Sequence, residues 1–483
     1  MSTTSSTSGT LSSLGVGSGL DANSIVTKLV ELERQPITLL QKRTESLQTK
    51  ISAFGQIQSS VSSLRDAARK LANPDIWGTT KATVADTSVA SFSTSSGAQT
   101  GDYSIQVTNL AAAQSVVTKN RVANSAATVG SGTLTFDKGN WSGTSFTASG
   151  SPVSVTIDAG DSLEKIRDKI NQSGAPVLAS IVTDSGGARL VMTSRTTGAE
   201  GGFRIQATDS DGNSTDDQGL SSLAFDLDPA TATSGTDRTR EAKDALAKIN
   251  GVEVTSKTNT FSDVLPGISF TVLKEGASSN VSVAQDNDTI SKAITDFATS
   301  FSSLITMLRS NTKYDDATKT AGTLQGDGTA VSILNQFRSI IGSSSGASSV
   351  FATLSSIGVE MQSGGTLTVN STKLTNALGK LSEVKKLFSN VDNLNSANDG
   401  VATKLRALAD NMLGFEGAIT NRTAGLNKAV QDNQKREDEM DARVALYEKR
   451  LRAQYTALDK QMSQISGTSS YVTQMITNWN KSS

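Results

Sequence analysis

LQTKISAFGQIQSSVSSLRDAARKL, residues 47 to 71, sets apolar side chains at Leu47, Ile51, Phe54, Ile57, Val61, Leu64, Ala68 and Leu71. The steps alternate between three and four, the spacing of a buried helical seam. It predicts a long helix from about Ile37 that stops at Asn73-Pro74, because proline cannot continue it. At about 1.5 Å per residue that helix reaches roughly 50 Å. A second seam of the same kind stands far off in sequence, at Met440, Val444, Tyr447, Leu451, Tyr455, Leu458, Met462 and Ile465. Both advance by about 3.5 residues on average, the repeat that keeps an apolar stripe facing a partner along a coiled coil. The two ends of the chain are therefore expected to pack together or onto another chain.

Before the first seam, Asp21 and Asn23 can cap a turn, and Ile25, Leu29 and Leu32 form a short stripe that Pro36 interrupts. Burying Ile25, Val26, Leu29, Val30 and Leu32 contributes roughly 8 to 15 kcal/mol. Ordering the dozen or so residues that carry them costs at least about as much. The segment is predicted to be mobile alone and helical only against a partner. Met1 to Gly19 is almost wholly Ser, Thr and Gly, too poor in apolar surface to order itself and without the basic and apolar regions of a signal peptide. It implies either cytoplasmic residence or an uncleaved, disordered export tag.

The middle of the chain changes period. Tyr103, Ile105 and Val107 alternate with Ser104, Gln106 and Thr108, as a half-buried strand does. Further strands are predicted near Thr133–Phe136, Val153–Ile157, Val177–Thr183, Arg189–Thr193, Phe203–Ala207, Val252–Thr255 and Ile268–Leu273, with Gly186-Gly187 closing a hairpin. A short helix with apolar face Leu163, Ile166 and Ile170 sits among them, with Asp161 and Glu164 at capping-box spacing. A polar run covers Asp226 to Thr239, and a second helix is expected at about Glu241–Ile249. Helical period returns at Ile290, Ile294, Phe297, Phe301, Leu304 and Leu308 and continues intermittently to Asn478.

Composition narrows the function. The 483 residues suggest three or four domains. Lys+Arg 45 against Asp+Glu 46 gives a net charge of -1, which argues against nucleic acid or an anionic membrane as partner. With Cys 0 and His 0 there is no disulfide framework, no thiolate and no imidazole, so zinc chemistry and histidine-dependent triads are excluded. No stretch reaches the roughly 18 apolar residues needed to cross a bilayer. Asp209-Ser210-Asp211-Gly212-Asn213 with Asp216-Asp217 has the alternate spacing of a calcium loop, but Ser214 and Leu220 replace the turn glycine and the bidentate Glu, so a solvated loop is expected. Gly342-Ser343-Ser344-Ser345-Gly346 satisfies the nucleophile-elbow pattern without a base to activate it and reads as a linker. The charged run Lys435 to Asp441 reads as the wet flank of a seam, with a recognition patch as its other reading. No catalytic, cofactor or metal residue is assigned.

Gly17-Ser18-Gly19-Leu20-Asp21, followed by Ile25-Val26, Leu29-Val30, Glu33 and Pro36, resembles the opening of the bacterial flagellar filament cap family, hook-associated protein 2. Tyr455-Thr456-Ala457-Leu458-Asp459, with Met462, Ser469-Ser470-Tyr471 and Gln474, is similar to that family's C-terminal helix. Ile249-Asn250-Gly251-Val252, Thr260-Phe261-Ser262-Asp263-Val264 and Pro266-Gly267 resemble its central β segment. Residues 130 to 235 carry no such signature. The resemblance implies a secreted, extracellular homo-oligomeric ring at the flagellum tip, commonly of five subunits, that helps flagellin fold and insert and stops it leaking away. It further implies exit as an unfolded chain through the flagellar type III export apparatus, and a chaperone on the C-terminal segment, about Val444 to Trp479 here.

The architecture expected is multidomain α+β: a helical, coiled-coil leg built from the N- and C-terminal segments, with two nested antiparallel β-rich head domains. Residues 1–36 form a partner-induced terminal segment paired with the C-terminal coiled-coil segment 430–483. Residues 37–78 with 285–429 form the leg, 79–129 with 236–284 one β head, and 130–235 an inserted outer β head. Filament and partner contacts are expected at Leu20, Ile25, Leu29, Leu32, Leu451, Leu458, Met462, Ile465 and Tyr471, and leg core at Leu47, Ile51, Phe54, Ile57, Val61 and Leu64. Three alternatives stay open: a hook–filament junction protein or flagellin variant, an adhesin binding host glycan or mucin through the β domains, and a glycan hydrolase.

Overall fold

The seam of residues 47–71 builds a helix longer than its sequence predicts. The computed structural model describes residues 21–228 and 235–481, so Leu20, the order of residues 1–19 and part of the polar run before Thr239 lie outside the described residues. Eight α-helices occur among the described residues: α1 (Ala22–Ala72), α2 (Leu163–Gln172), α3 (Asn287–Thr312), α4 (Gly328–Gly342), α5 (Ser371–Leu378), α6 (Leu381–Ser389), α7 (Val401–Leu413) and α8 (Ala418–Lys481). The chain divides into two compact units, one holding residues up to Asn73 and from Ser291 onward, the other Pro74–Ile290.

In the helical unit α1 runs without a break through Pro36, which corrects the predicted start near Ile37. Proline inside a helix removes one backbone bond and costs about 3 kcal/mol. Val30 and Ile37, on either side of it, are buried against α8, and each such burial contributes roughly 1.5 to 3 kcal/mol. The cost is therefore offset where it arises. Asp21 caps the first turn by accepting the Ser24 N–H at 3.0 Å, and the helix stops at Asn73 before Pro74. Phe54, Ile57, Val61, Leu64, Ala68 and Leu71 are buried, while Leu47 and Ile51 are half-buried. α1 packs along α7 and α8. Phe297 of α3 meets Phe388 of α6 edge to face, with ring centroids 6.1 Å apart. The buried Asp327 carboxylate caps α4 through Thr329 and Ala330 and takes Arg422 of α8 at 2.7 Å.

The other unit is antiparallel β with two hydrophobic cores. One core underlies a five-stranded sheet in the order Thr80–Val84, Ser278–Gln285, Gly101–Asn109, Ala245–Ile249, Val252–Ser256, together with the three-stranded sheet Thr260–Leu265, Ile268–Val272, Ala90–Thr94. The second core fills the space beneath α2 and two four-stranded sheets. In one of these, Gly132–Ser142 pairs with Gly202–Asp209, Ser145–Ala148 and Val153–Ile157. In the other, the order is Thr236–Arg240, Ser115–Thr118, Gly187–Ser194, Val177–Asp184. Strands Ser115–Thr118 and Thr236–Arg240 share a sheet with Gly187–Ser194 over this core.

Two local predictions change. Glu241–Ile249 is not helical: Ala245, Ala247 and Ile249 alternate inward on a strand paired with Val252–Ser256. Helix formers fill the segment, but Asn250 and Gly251 both take positive φ, 48° and 84°, closing a two-residue hairpin that sheet pairing rewards. At α2 the cap is Ser162, whose hydroxyl accepts the Lys165 N–H, and Leu163, Ile166 and Ile170 are buried as one face. Asp161 lies one residue too early to cap. Its buried carboxylate instead accepts the Asp158 N–H and pairs with Lys165 and Lys169.

Candidate partner interface

α1 and α8 form an antiparallel hairpin whose register is written in polar contacts. The buried Asn433 amide donates to the Leu40 carbonyl and the Thr44 hydroxyl, both at 2.7 Å. The Thr44 hydroxyl donates in turn to Glu437 at 3.0 Å, and Arg34 reaches Asp441 at 3.6 Å. One buried asparagine among apolar positions fixes register, because sliding by a turn would strand its amide. Around these bonds Val26, Val30, Ile37, Val444 and Leu451 make a small core, with Leu29, Met440, Tyr447 and Tyr455 packed on it.

The expected contact residues divide. Leu451 is buried in the hairpin, and Ile25 and Leu29 are half-buried. The inward stripe of the first turns is Val26, Val30 and Ile37, displaced round the helix from the Ile25, Leu29, Leu32 stripe read from sequence; Leu32 is 61% exposed. Beyond Tyr455 the seam of α8 continues with no described residue covering it. Leu458 and Met462 are exposed, Ile465 is 62% exposed and Tyr471 64%. Sequence reading missed Val472, Met475 and Ile476, which are also exposed and stand seven, ten and eleven residues after Ile465, on its helical face. Spacing alone marked them as apolar helix; their exposure is a matter of tertiary packing that spacing does not carry.

The two motifs with a chemical reading serve local structure. Asp209 accepts the Ser221 N–H at 3.0 Å, Asp211 the Asn213 N–H at 2.8 Å and Asp216 the Gln218 N–H at 3.1 Å, so these carboxylates turn onto their own loop. Ser343 caps the end of α4, and the Ser345 hydroxyl donates to the Asp399 carbonyl. Among the described residues no helix is long and apolar enough to cross a membrane.

An α+β chain whose ends close into one hairpin, with an apolar extremity left open, has the features of a structural binding subunit. The family described as flagellar hook-associated protein 2 C-terminus matches residues 242–467, and its N-terminus counterpart matches residues 18–114. The flagellin hook IN motif matches residues 133–196, a stretch in which sequence reading found no signature. Flagellar hook-associated protein 2 of Escherichia coli K12 is 31% identical over 488 residues, covering 97% of this chain and 98% of that protein. The A-type flagellar hook-associated protein 2 of Pseudomonas aeruginosa is 28% identical over 485 residues, covering 96% of each. The D1-D2-D3 domains of the flagellar cap protein FliD from Escherichia coli superpose with a TM-score of 0.62 at 28% identity, covering 78% of this chain and 99% of that one. The chain belongs to the flagellar hook-associated protein 2 family, the flagellar cap proteins. That family is structural, which agrees with the resemblance carried by the terminal motifs.

Proposed function

We propose that the chain is secreted and assembles as a homo-oligomeric ring at the distal tip of the flagellar filament, where it helps flagellin fold and polymerise and holds back monomers that would leak away. The observation that carries this reading is the apolar seam of α8 from Leu458 to Ile476, a long stripe that no described residue covers, on a helix whose earlier turns are packed. A contiguous exposed apolar stripe of this length marks a protein–protein contact, and its helical spacing suits another helix as partner. The helical unit serves as the leg that grips the filament end, and the two β cores belong to the cap's head. Leu32, Leu458, Met462, Ile465 and Tyr471 make the partner contacts, and the work is packing and folding with no bond cleaved. Before export the same C-terminal seam is held by a chaperone, and the chain leaves unfolded through the type III apparatus.

Immunogold electron microscopy of filaments tests the location. Label confined to the distal end is expected; label distributed along the shaft, or only at its base, would refute it and favour the junction-protein alternative.

A further inference from the structure

Between α1 and α8, on one side of the hairpin, runs a groove of about 530 Å³. Its floor is Pro36, Leu39, Leu40 and Met440, and Leu39 is 67% exposed there. Leu32 lies one helical turn before Pro36 on the same stripe, so apolar surface extends past the groove. The rim is basic: Arg43, Arg436 and Arg443 line it, with Glu439 as the single acid. None of the three arginines forms an ion pair among the described residues. Two acids of the same α8 segment are used elsewhere. Glu437 and Asp441 do not line the groove and are bonded to Thr44 and Arg34. Arg436 of the charged run Lys435–Asp441 therefore faces the groove without an ion pair among the described residues, while Glu437 and Asp441 of the same run are engaged with Thr44 and Arg34 away from it.

We propose that this groove docks an amphipathic helix of another protein chain that carries carboxylates beside its apolar stripe. The spacing supports a helix as occupant. Arg436 and Arg443 are seven residues apart, two turns or roughly 10.5 Å, and Leu32 and Leu39 repeat that interval on α1. A partner helix with apolar residues at i, i+3 or i+4 and i+7, and Glu or Asp at a seven-residue interval, meets both rows at once. Guanidinium groups bind carboxylates in a fork, which fixes orientation as well as sign. An apolar floor suits leucine better than a phosphodiester, and the chain's net charge of -1 gives no general attraction for polyanions. This docking role follows from the groove alone and does not depend on a place at the filament tip.

The test uses the full chain and two synthetic 21-residue helical peptides with leucines at i, i+3, i+7 and i+10, one with glutamates flanking the stripe and one with lysines there, read by fluorescence anisotropy. The glutamate peptide is expected to bind about tenfold or more tighter than the lysine peptide, as two or three rim pairs imply. Arg436→Glu with Arg443→Glu is expected to reverse that preference. Leu39→Ser is expected to weaken both peptides equally, and circular dichroism melting shows that each variant is folded. Equal binding of the two peptides, or a preference unmoved by charge reversal, would overturn the proposal. Self-association of the chain that disappears in the reversed variant would assign the groove to a second copy, and tighter binding to phosphatidylglycerol vesicles than to the glutamate peptide would assign it to a membrane; either overturns it.

Discussion

Leu451→Ala tests how the hairpin is held. Leu451 is buried at the far end of the small core formed with Val26, Val30, Ile37 and Val444. Truncating a buried leucine costs about 2 to 5 kcal/mol. The site lies beside the uncovered end of α8 and can relax, so about 2 kcal/mol applies. That loss falls on the local opening of α1 residues 22–40, because residues 53–71 rest on a separate core and pack along α7. At 1.36 kcal/mol per tenfold, amide exchange in residues 22–40 should accelerate by roughly 30-fold, while exchange in 53–71 stays as it was. Hydrogen–deuterium exchange with peptide resolution reads both. Unchanged exchange in 22–40 would refute the packing argument, and equal acceleration in both stretches would refute the division into a weak distal hairpin and a stable base.

Other consequences follow from named contacts. Asp327→Ala removes both the α4 cap and the partner of Arg422 and should lower unfolding free energy by about 3 to 5 kcal/mol in urea titration; Asp327→Asn keeps a cap acceptor and should recover about 1 kcal/mol of that. Glu383 is held down to about 2 by Lys386, then by the Ser348 hydroxyl and Ser349 N–H. A depressed carboxylate contributes stability above its unfolded value of 4.5 and loses it as pH falls towards 2, so the gap in melting temperature between the native chain and Glu383→Gln should close as pH is lowered from neutrality through that window. Asn433→Leu should melt no lower than the native chain yet loosen register. Since the chain has Cys 0, spin labels on cysteines placed at Thr38 and Asp438 would report a broadened distance distribution.

What sequence could tell depended on whether local pattern or distant packing decided the outcome. The seam Phe54 to Leu71, the α2 face and the alternating strands were legible because burial follows their period directly. Pro36 misled because a local rule was outweighed by α8, nearly four hundred residues away in sequence. Glu241–Ile249 misled for the same reason: its helix formers were overruled by a hairpin turn and by strand partners on both sides. The groove beside Leu39 was illegible, since the sign of its rim depends on which charges of Lys435–Asp441 face α1 and which face water. The apolar character of α8 beyond Tyr455 was plain, whereas its exposure among the described residues is set by distant packing that local spacing does not encode.

The most direct measurement is the partition of flagellin between filament and medium in cells whose only copy of this chain carries Leu458→Ser, Met462→Ser, Ile465→Ser and Tyr471→Ser, with export of the variant measured alongside. Compared at matched levels of exported chain, the account predicts that filaments of the variant are short or absent and that flagellin monomer accumulates in the medium. Filaments of normal length with no leaked flagellin, at normal levels of exported variant, would contradict it.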